Sequence, residues 1–337
     1  VAVGPHGVGV GVLRYNTPYG INTGAAFTYR QMSWDDDNWQ HDIRTVRTCL
    51  TARQLVENPT DNGDMASFGR DVAHDNNIAI IGDPYAENDM GVPEGSVTFL
   101  TRASADDDWI ALSSKDVALP TRGEYEYFGK AVAIDGDLAI IGAPGYAADL
   151  GRAIIMQKSG SSWLMADTLV DDDANAQFGT DVAVATAFGQ TYFMVGAPGL
   201  YNQAGTVQVF KWNDVSDQAD LILTITDPQW SGTTTSRFGE AVDLNVTAAN
   251  ALRLAIGNPW QADSSGYGSI SLYEANELGG FWVYGNYTNL IPYSDIASLT
   301  GNYCASNIDL DGSFLIAGMP LSDGLKYQCG GAVIYKG

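Results

Sequence analysis

Two short signals, Phe-Gly and Gly-x-Pro, alternate along the chain with a period close to sixty residues. No other feature constrains the fold as much. Phe-Gly stands at 68–69, 128–129, 178–179 and 238–239, with a degraded copy at Tyr303-Cys304. Each is followed 14 to 19 residues later by a Gly-x-Pro, at Gly82, Gly142, Gly196, Gly257 and Gly318, so the Gly-x-Pro spacings are 60, 54, 61 and 61 residues. The stretch "VAVGPHGVGVGVL" lays without a gap over "VAIDGDLAIIGAP", matching Val1 to Val132 and Gly11 to Gly142. It is expected to be a sixth copy with its first residues missing. A fixed period of this size means that each repeat is one small unit that buries its apolar face only by stacking on its neighbours.

Within a repeat the pattern reads as four strands. "AVAI" at 131–134 is short and apolar, and Asp135-Gly136 supplies the positive φ angles of a tight hairpin. "LAIIG" at 138–142 returns as an apolar run of the kind buried on both faces. Gly-Ala-Pro ends it, because proline cannot donate to a ladder. "GRAIIMQK" and "WLMADTLV" follow as third and fourth strands, and the Trp heading the fourth recurs as Trp39, Trp109, Trp163 and Trp282. Four antiparallel strands per repeat predict an all-β fold, a six-bladed β-propeller of four-stranded antiparallel blades. The alternative is a seven-bladed propeller with a missing portion. The chain is expected to form one domain over 1–337, with blades at about 1–67, 68–127, 128–177, 178–237, 238–302 and 303–337. The last blade lacks its fourth strand. Phe is expected to fill the wedge between blades, and the glycine after it to allow close backbone approach.

The recurring Phe-Gly and Gly-Ala-Pro pattern resembles the FG-GAP repeats of integrin α-like β-propellers. That resemblance implies an extracellular, non-enzymatic domain used in adhesion, glycan binding or assembly. Such blades often carry a calcium loop of alternating acids in the first hairpin. Here the hairpins at Asp75-Asn76, Asp135-Gly136 and Asp311-Gly312 are too tight for a cage of oxygen ligands. The longer one at 243–250 keeps Asp243 and Asn245 but lacks a late carboxylate. No metal and no cofactor is expected, and calcium is not expected in these hairpins.

With 40 acidic against 17 basic residues, the chain carries a net charge of −23. Such a surface repels nucleic-acid backbones and anionic membranes. No apolar run is long enough to span a bilayer as a helix. The three histidines, His6, His41 and His74, lie far apart in the repeat frame, and no hydrolase, metalloprotease or phosphate-binding motif is present, so no enzyme is expected. The acidic triplets at 35–37 and 106–108 read as solvated outer turns, and that at 171–173 as a solvated loop between blades.

The candidate binding residues are the aromatics that follow Gly-x-Pro, namely Tyr85, Tyr146, Tyr201 and Trp260. Rings on one rim either stack on sugars or anchor a protein partner, or they pack on the adjacent blade. Cys304 opens the first strand of the last blade and Cys329 precedes its third, so the two are expected to form a disulfide at one rim, leaving Cys49 over. The sequons at Asn245 and Asn286 are expected glycosylation sites of a secreted or cell-surface protein. The incomplete last blade leaves a strand edge. Residues preceding Val1 or a strand from a neighbouring molecule are expected to fill it. The expected function is therefore adhesion or structural assembly through propeller surfaces and this edge, with a carbohydrate-binding lectin using the aromatic rim as the alternative.

Overall fold

The computed structural model describes residues 2–4, 7–12, 25–31 and 50–57 as strands. It then describes 67–104, 107–113, 117–118, 120–171, 173, 175–199, 204–228, 236–247, 251–259, 268–278, 281–290, 305–311, 314–319 and 331–336. The fold is an all-β propeller of antiparallel blades. The first sheet holds β1 (Ala2–Gly4), β2 (Gly7–Val12), β3 (Ala25–Gln31) and β4 (Leu50–Glu57). The second holds β5 (Val72–Asp75), β6 (Ile78–Asp83), β7 (Ser96–Thr101) and a two-residue β8 (Ile110–Ala111). After β9 (Val117–Ala118), the third sheet is built from β10 (Val132–Asp135), β11 (Leu138–Ala143), β12 (Arg152–Ser159) and β13 (Ser162–Val170). The fourth holds β14 (Val182–Ala187), β15 (Gln190–Ala197), β16 (Thr206–Asn213) and β17 (Gln218–Thr226). The fifth holds β18 (Ala241–Val246), β19 (Leu252–Asn258), β20 (Ser269–Leu278) and β21 (Phe281–Leu290). The last holds β22 (Ile308–Asp311), β23 (Phe314–Met319) and β24 (Gly331–Lys336).

The expected count of six or seven four-stranded blades is corrected to five. Residues 303–337 form a sheet of three strands, β22-β23-β24, among the described residues. The sequence count took this incomplete last repeat as a blade, because Gly-x-Pro ends a second strand and marks the last repeat as it marks the others. The third sheet departs from the pattern in the other direction. Short β9 runs parallel to β13, pairing Val117 with Trp163, and so covers its outer edge.

The chain falls into two compact units, one of Val1–Ile141 with Met156–Met165 and the other of Gly142–Ile155 with Ala166–Gly337. The same seam between neighbouring sheets is found within each. In the first unit, the Gly69 N–H donates to the Gly82 carbonyl at 3.0 Å, tying Phe-Gly to Gly-x-Pro inside one blade. Between blades, a Cβ on Gly82 would run into the Gly129 carbonyl oxygen. Gly129 itself lies at φ +87°, against the Ser96 carbonyl. In the second unit Gly196 and Gly239 repeat this contact. Only glycine combines a left-handed φ with such an approach.

Carboxylates bridge the first strands of successive sheets. Asp71 accepts its neighbour Val72 N–H at 2.9 Å and, from the next sheet, the equivalent Val132 N–H at 2.7 Å. In the second unit Asp181 accepts the N–H groups of Val182 and Val242, at 3.1 and 2.8 Å. Asp243 does the same for Leu244 and Leu310, at 2.8 and 2.6 Å. Among the described residues each first strand has one ladder partner, so its other edge needs acceptors. One carboxylate serves two homologous donors, a charge-assisted bond worth about 1.5–3 kcal/mol. Packing completes the seam. Phe238 is fully buried among Tyr192, Met194, Val207 and Val209 of the fourth sheet and Val242 and Leu244 of the fifth. In the first unit the Phe99 and Trp163 rings of consecutive sheets meet at 4.9 Å.

Two predictions follow from the seam. Gly129→Ala should destabilise the chain by more than about 2 kcal/mol in urea denaturation, since strain and collision coincide there. A loss below about 0.5 kcal/mol would contradict the contact. Burial raises the Asp71 carboxyl above the ordinary carboxylate value, against the pull of the Val132 and Val72 N–H donors and of Arg70. The folded chain therefore holds this proton to a higher pH than the unfolded one. The stability linked to it is present in acid and lost as pH rises through the raised value. Asp71→Asn should accordingly cost more stability at about pH 4 than at about pH 7. Equal losses at the two pH values would contradict the assignment.

Candidate functional site

The described aromatic residues of the expected rim fall in different surroundings. Tyr85 is 44% exposed. Its ring meets the edge of Tyr127 at 5.3 Å and 61°. Tyr146 is half-buried, with the Arg152 guanidinium 4.4 Å above its ring. Tyr201 and Trp260 lie outside the described residues, as do Cys49, Cys304 and Cys329. Asn245 sits half-buried in β18 opposite Arg253, while the hydroxyl of its sequon Thr247 accepts the Ala251 N–H at 3.1 Å. Asn286 lies in the outermost strand β21, where the register with β20 shifts. Among the described residues, no group of three or more His, Cys, Asp or Glu is placed to hold a metal ion.

The loop around Tyr85 is built by its own polar groups. Asn88 accepts the Met90 and Val92 N–H groups at 2.9 and 3.1 Å and donates to Glu94 at 2.8 Å, which holds Met90 outward with 76% exposure. Beside it runs "GEYEYFG", residues 123–129. The Tyr125 N–H donates to the Pro93 carbonyl at 2.6 Å, which places this segment against the Tyr85 loop. Arg122 donates to Ser96 Oγ at 3.3 Å. Burial lowers its pKa, and the nearby charges of Glu94 and Glu126 oppose that shift. Tyr85 and Tyr127 thus meet ring to ring, and Met90 and Tyr125 are exposed in the same two segments, which also carry Glu87, Asp89 and Glu124.

Sequence reasoning missed Tyr125 and Tyr127, although the alternation of Tyr before Phe-Gly was there to read. Both adopt left-handed backbone, φ 59° and 55°, as do Asn175 and Gln177 ahead of the next Phe-Gly. Asparagine tolerates this conformation, whereas a bulky ring costs about 1–2 kcal/mol. Tyr125 is nevertheless 53% exposed, so little core burial offsets that cost.

A second surface lies on the last sheet. Ile316 pairs directly with Ile334 across β23 and β24, and the two are 42% and 66% exposed. The matching pairs Ile80–Phe99 and Met194–Val209 of the second and fourth sheets are fully buried. Met194 and Val209 pack with Val242 and Leu244 of the following blade. The face that elsewhere receives the next blade is thus exposed at these isoleucines. Asp309 occupies there the register position that Asp243 holds in β18.

A family model described as an FG-GAP repeat matches residues 122–162, the span from the Tyr125 segment to the start of β13. This span carries an FG-GAP repeat, set in a β-propeller of antiparallel sheets. Among solved structures it is similar to a protein from Lactobacillus plantarum at 15% identity, covering 80% of this chain and 66% of that one with a TM-score of 0.47. It is also similar to Saccharomyces cerevisiae Sqt1 at 11% identity, covering 74% and 57% with a TM-score of 0.40. The FG-GAP chain spans less than two thirds of the length of either. No curated protein sequence matches it.

Asn175 supplies the test of the Tyr125 conformation. Tyr125→Asn should raise stability by about 0.5–1 kcal/mol, measured by urea denaturation. A stability loss would show that the ring is held by packing.

Proposed function

We propose that this FG-GAP propeller is a non-enzymatic extracellular component of an adhesive or structural assembly, acting through propeller surfaces and the incomplete last blade. The observation that carries the reading is the exposed Ile316–Ile334 pair, at positions where the second and fourth sheets bury their equivalents. An apolar face of this kind in water favours association, because each buried Å² contributes about 25 cal/mol. The outer edge of β24 adds backbone groups for strand addition: among the described residues β24 pairs only with β23. The net charge of −23 favours solubility of the unassembled chain and disfavours nucleic acid and anionic membranes as partners.

A second reading, a carbohydrate-binding lectin, is favoured by the exposed rings of Tyr85 and Tyr125, since tyrosines present broad apolar faces to sugar rings. A glycan array separates the two: specific sugar binding that is lost in Tyr85→Ala supports the lectin.

The assembly reading is tested with the Ile334→Lys and Ile316→Lys variants in sedimentation velocity. Both positions are already solvent-exposed, so the fold is expected to persist. The parent protein is expected to associate and the variants to sediment as monomers. A parent that stays monomeric at all attainable concentrations would falsify assembly through this face.

A further inference from the structure

Two joints of the second unit repeat one fit of row on row. Between the fourth and fifth sheets, the row Ala183–Met194–Val209 shares an apolar cluster with Leu244, Leu254 and Tyr273, which are paired across β18, β19 and β20. At the next joint the row Asp243–Ala255–Leu272 receives Leu310, Leu315 and Tyr335, paired across β22, β23 and β24. Ala255 and Leu272 cluster with all three incoming residues, and Asp243 accepts the Leu310 N–H at 2.6 Å. Both incoming rows read Leu, Leu, Tyr. The last sheet presents the receiving row once more, as Asp309–Ile316–Ile334, and its two isoleucines are exposed in the single chain.

The chain also holds a third incoming row. Val3 pairs with Val8, and Val8 with Tyr29, across β1, β2 and β3. Counted back from Gly11 and Gly318, Val3, Val8 and Tyr29 take the register positions of Leu310, Leu315 and Tyr335. The tyrosine is not general to the repeat, since the second and fourth sheets have Leu100 and Phe210 there.

We propose that the last sheet of one chain seats the first sheet of a second copy, head to tail, with Asp309 accepting the Val3 N–H as Asp243 accepts that of Leu310. The joint rests on the assembly reading and names its partner. Among the described residues β1 pairs only with β2, so Val3 lies on a sheet edge. Its position matches that of Leu310, whose N–H goes to a carboxylate of the preceding sheet instead of into its own ladder. A bond of that kind fixes the register, and the Ile316–Ile334 surface supplies the apolar burial. Because the two partners use different surfaces, the contact is heterologous: copies close into a ring or continue as a filament.

The test is sedimentation velocity of the whole chain in about 0.5 M salt, which screens the repulsion between copies of net charge −23. Ile334→Lys disables the receiving sheet and Val3→Lys the incoming one, so each variant alone should be monomeric. Mixed in equal amounts they should form a one-to-one pair and nothing larger, the intact first sheet of one seated on the intact last sheet of the other. Val3→Pro removes the N–H at an edge position that tolerates proline, and should weaken association about tenfold. Thermal unfolding checks that the variants fold. Parent-like association in Val3→Lys or Val3→Pro, or a mixture of folded monomers that stays monomeric, overturns the head-to-tail joint and leaves the assembly reading standing. A parent chain that never associates overturns both.

Discussion

The structure depends on how the first strand of one sheet meets the sheet before it. That strand has a ladder partner on one side only, and its other edge would leave backbone N–H groups without acceptors inside a packed molecule. Three aspartates, Asp71, Asp181 and Asp243, answer this by accepting one N–H from their own strand and the homologous N–H from the next. The glycine pairs set the distance at which this works. With Gly82 against Gly129 and Gly196 against Gly239, the backbones come closer than any side chain permits. Phe238, wedged among residues of two sheets, shows the apolar side of the same joint.

The candidate sites are places where that joint is altered. On the last sheet, Ile316 and Ile334 carry the apolar pattern of a blade-receiving face, yet they stand exposed. On the second blade, the loop after Gly-x-Pro carries the exposed Tyr85 in edge contact with Tyr127. In a repeat protein the recurring elements are occupied with holding neighbours together, so departures from the repeat are the candidates for function. At Tyr125 the backbone keeps the left-handed conformation of Asn175 in the next repeat, and only the side chain departs. A residue that costs stability and gains little burial is one whose side chain serves the surface.

Much of this was legible beforehand. Asp135-Gly136 marked its hairpin, and the register between β10 and β11 closes there as the pattern required. "LAIIG" read as a strand buried on both faces, and β11, one residue longer, is buried along its whole length. The blade count was less legible, because Gly-x-Pro marks the last repeat as it marks the others, and that repeat was counted as a blade although a fourth strand was not expected in it. Trp109 marked the fourth strand of the second sheet but not the shortness of β8, and the parallel β9 gave no signal, since two residues carry no period. The carboxylate bridges were hidden as well: Asp71 and Asp181 precede the strand and Asp243 lies within it, so their common role is visible only from the register.

By itself the sequence determined the repeat, the alternation within each unit and the glycines at the joints, and so an FG-GAP propeller of antiparallel sheets. These are local requirements: a turn needs a positive φ, a strand needs apolar residues in phase, and a close approach needs a missing Cβ. The tertiary structure alone decided which tyrosine is covered by a guanidinium and which is open, which isoleucines stay in water, and which aspartates join two sheets. Such facts depend on what lies opposite a residue in a neighbouring blade some sixty positions away, and no periodicity along the chain encodes that distance.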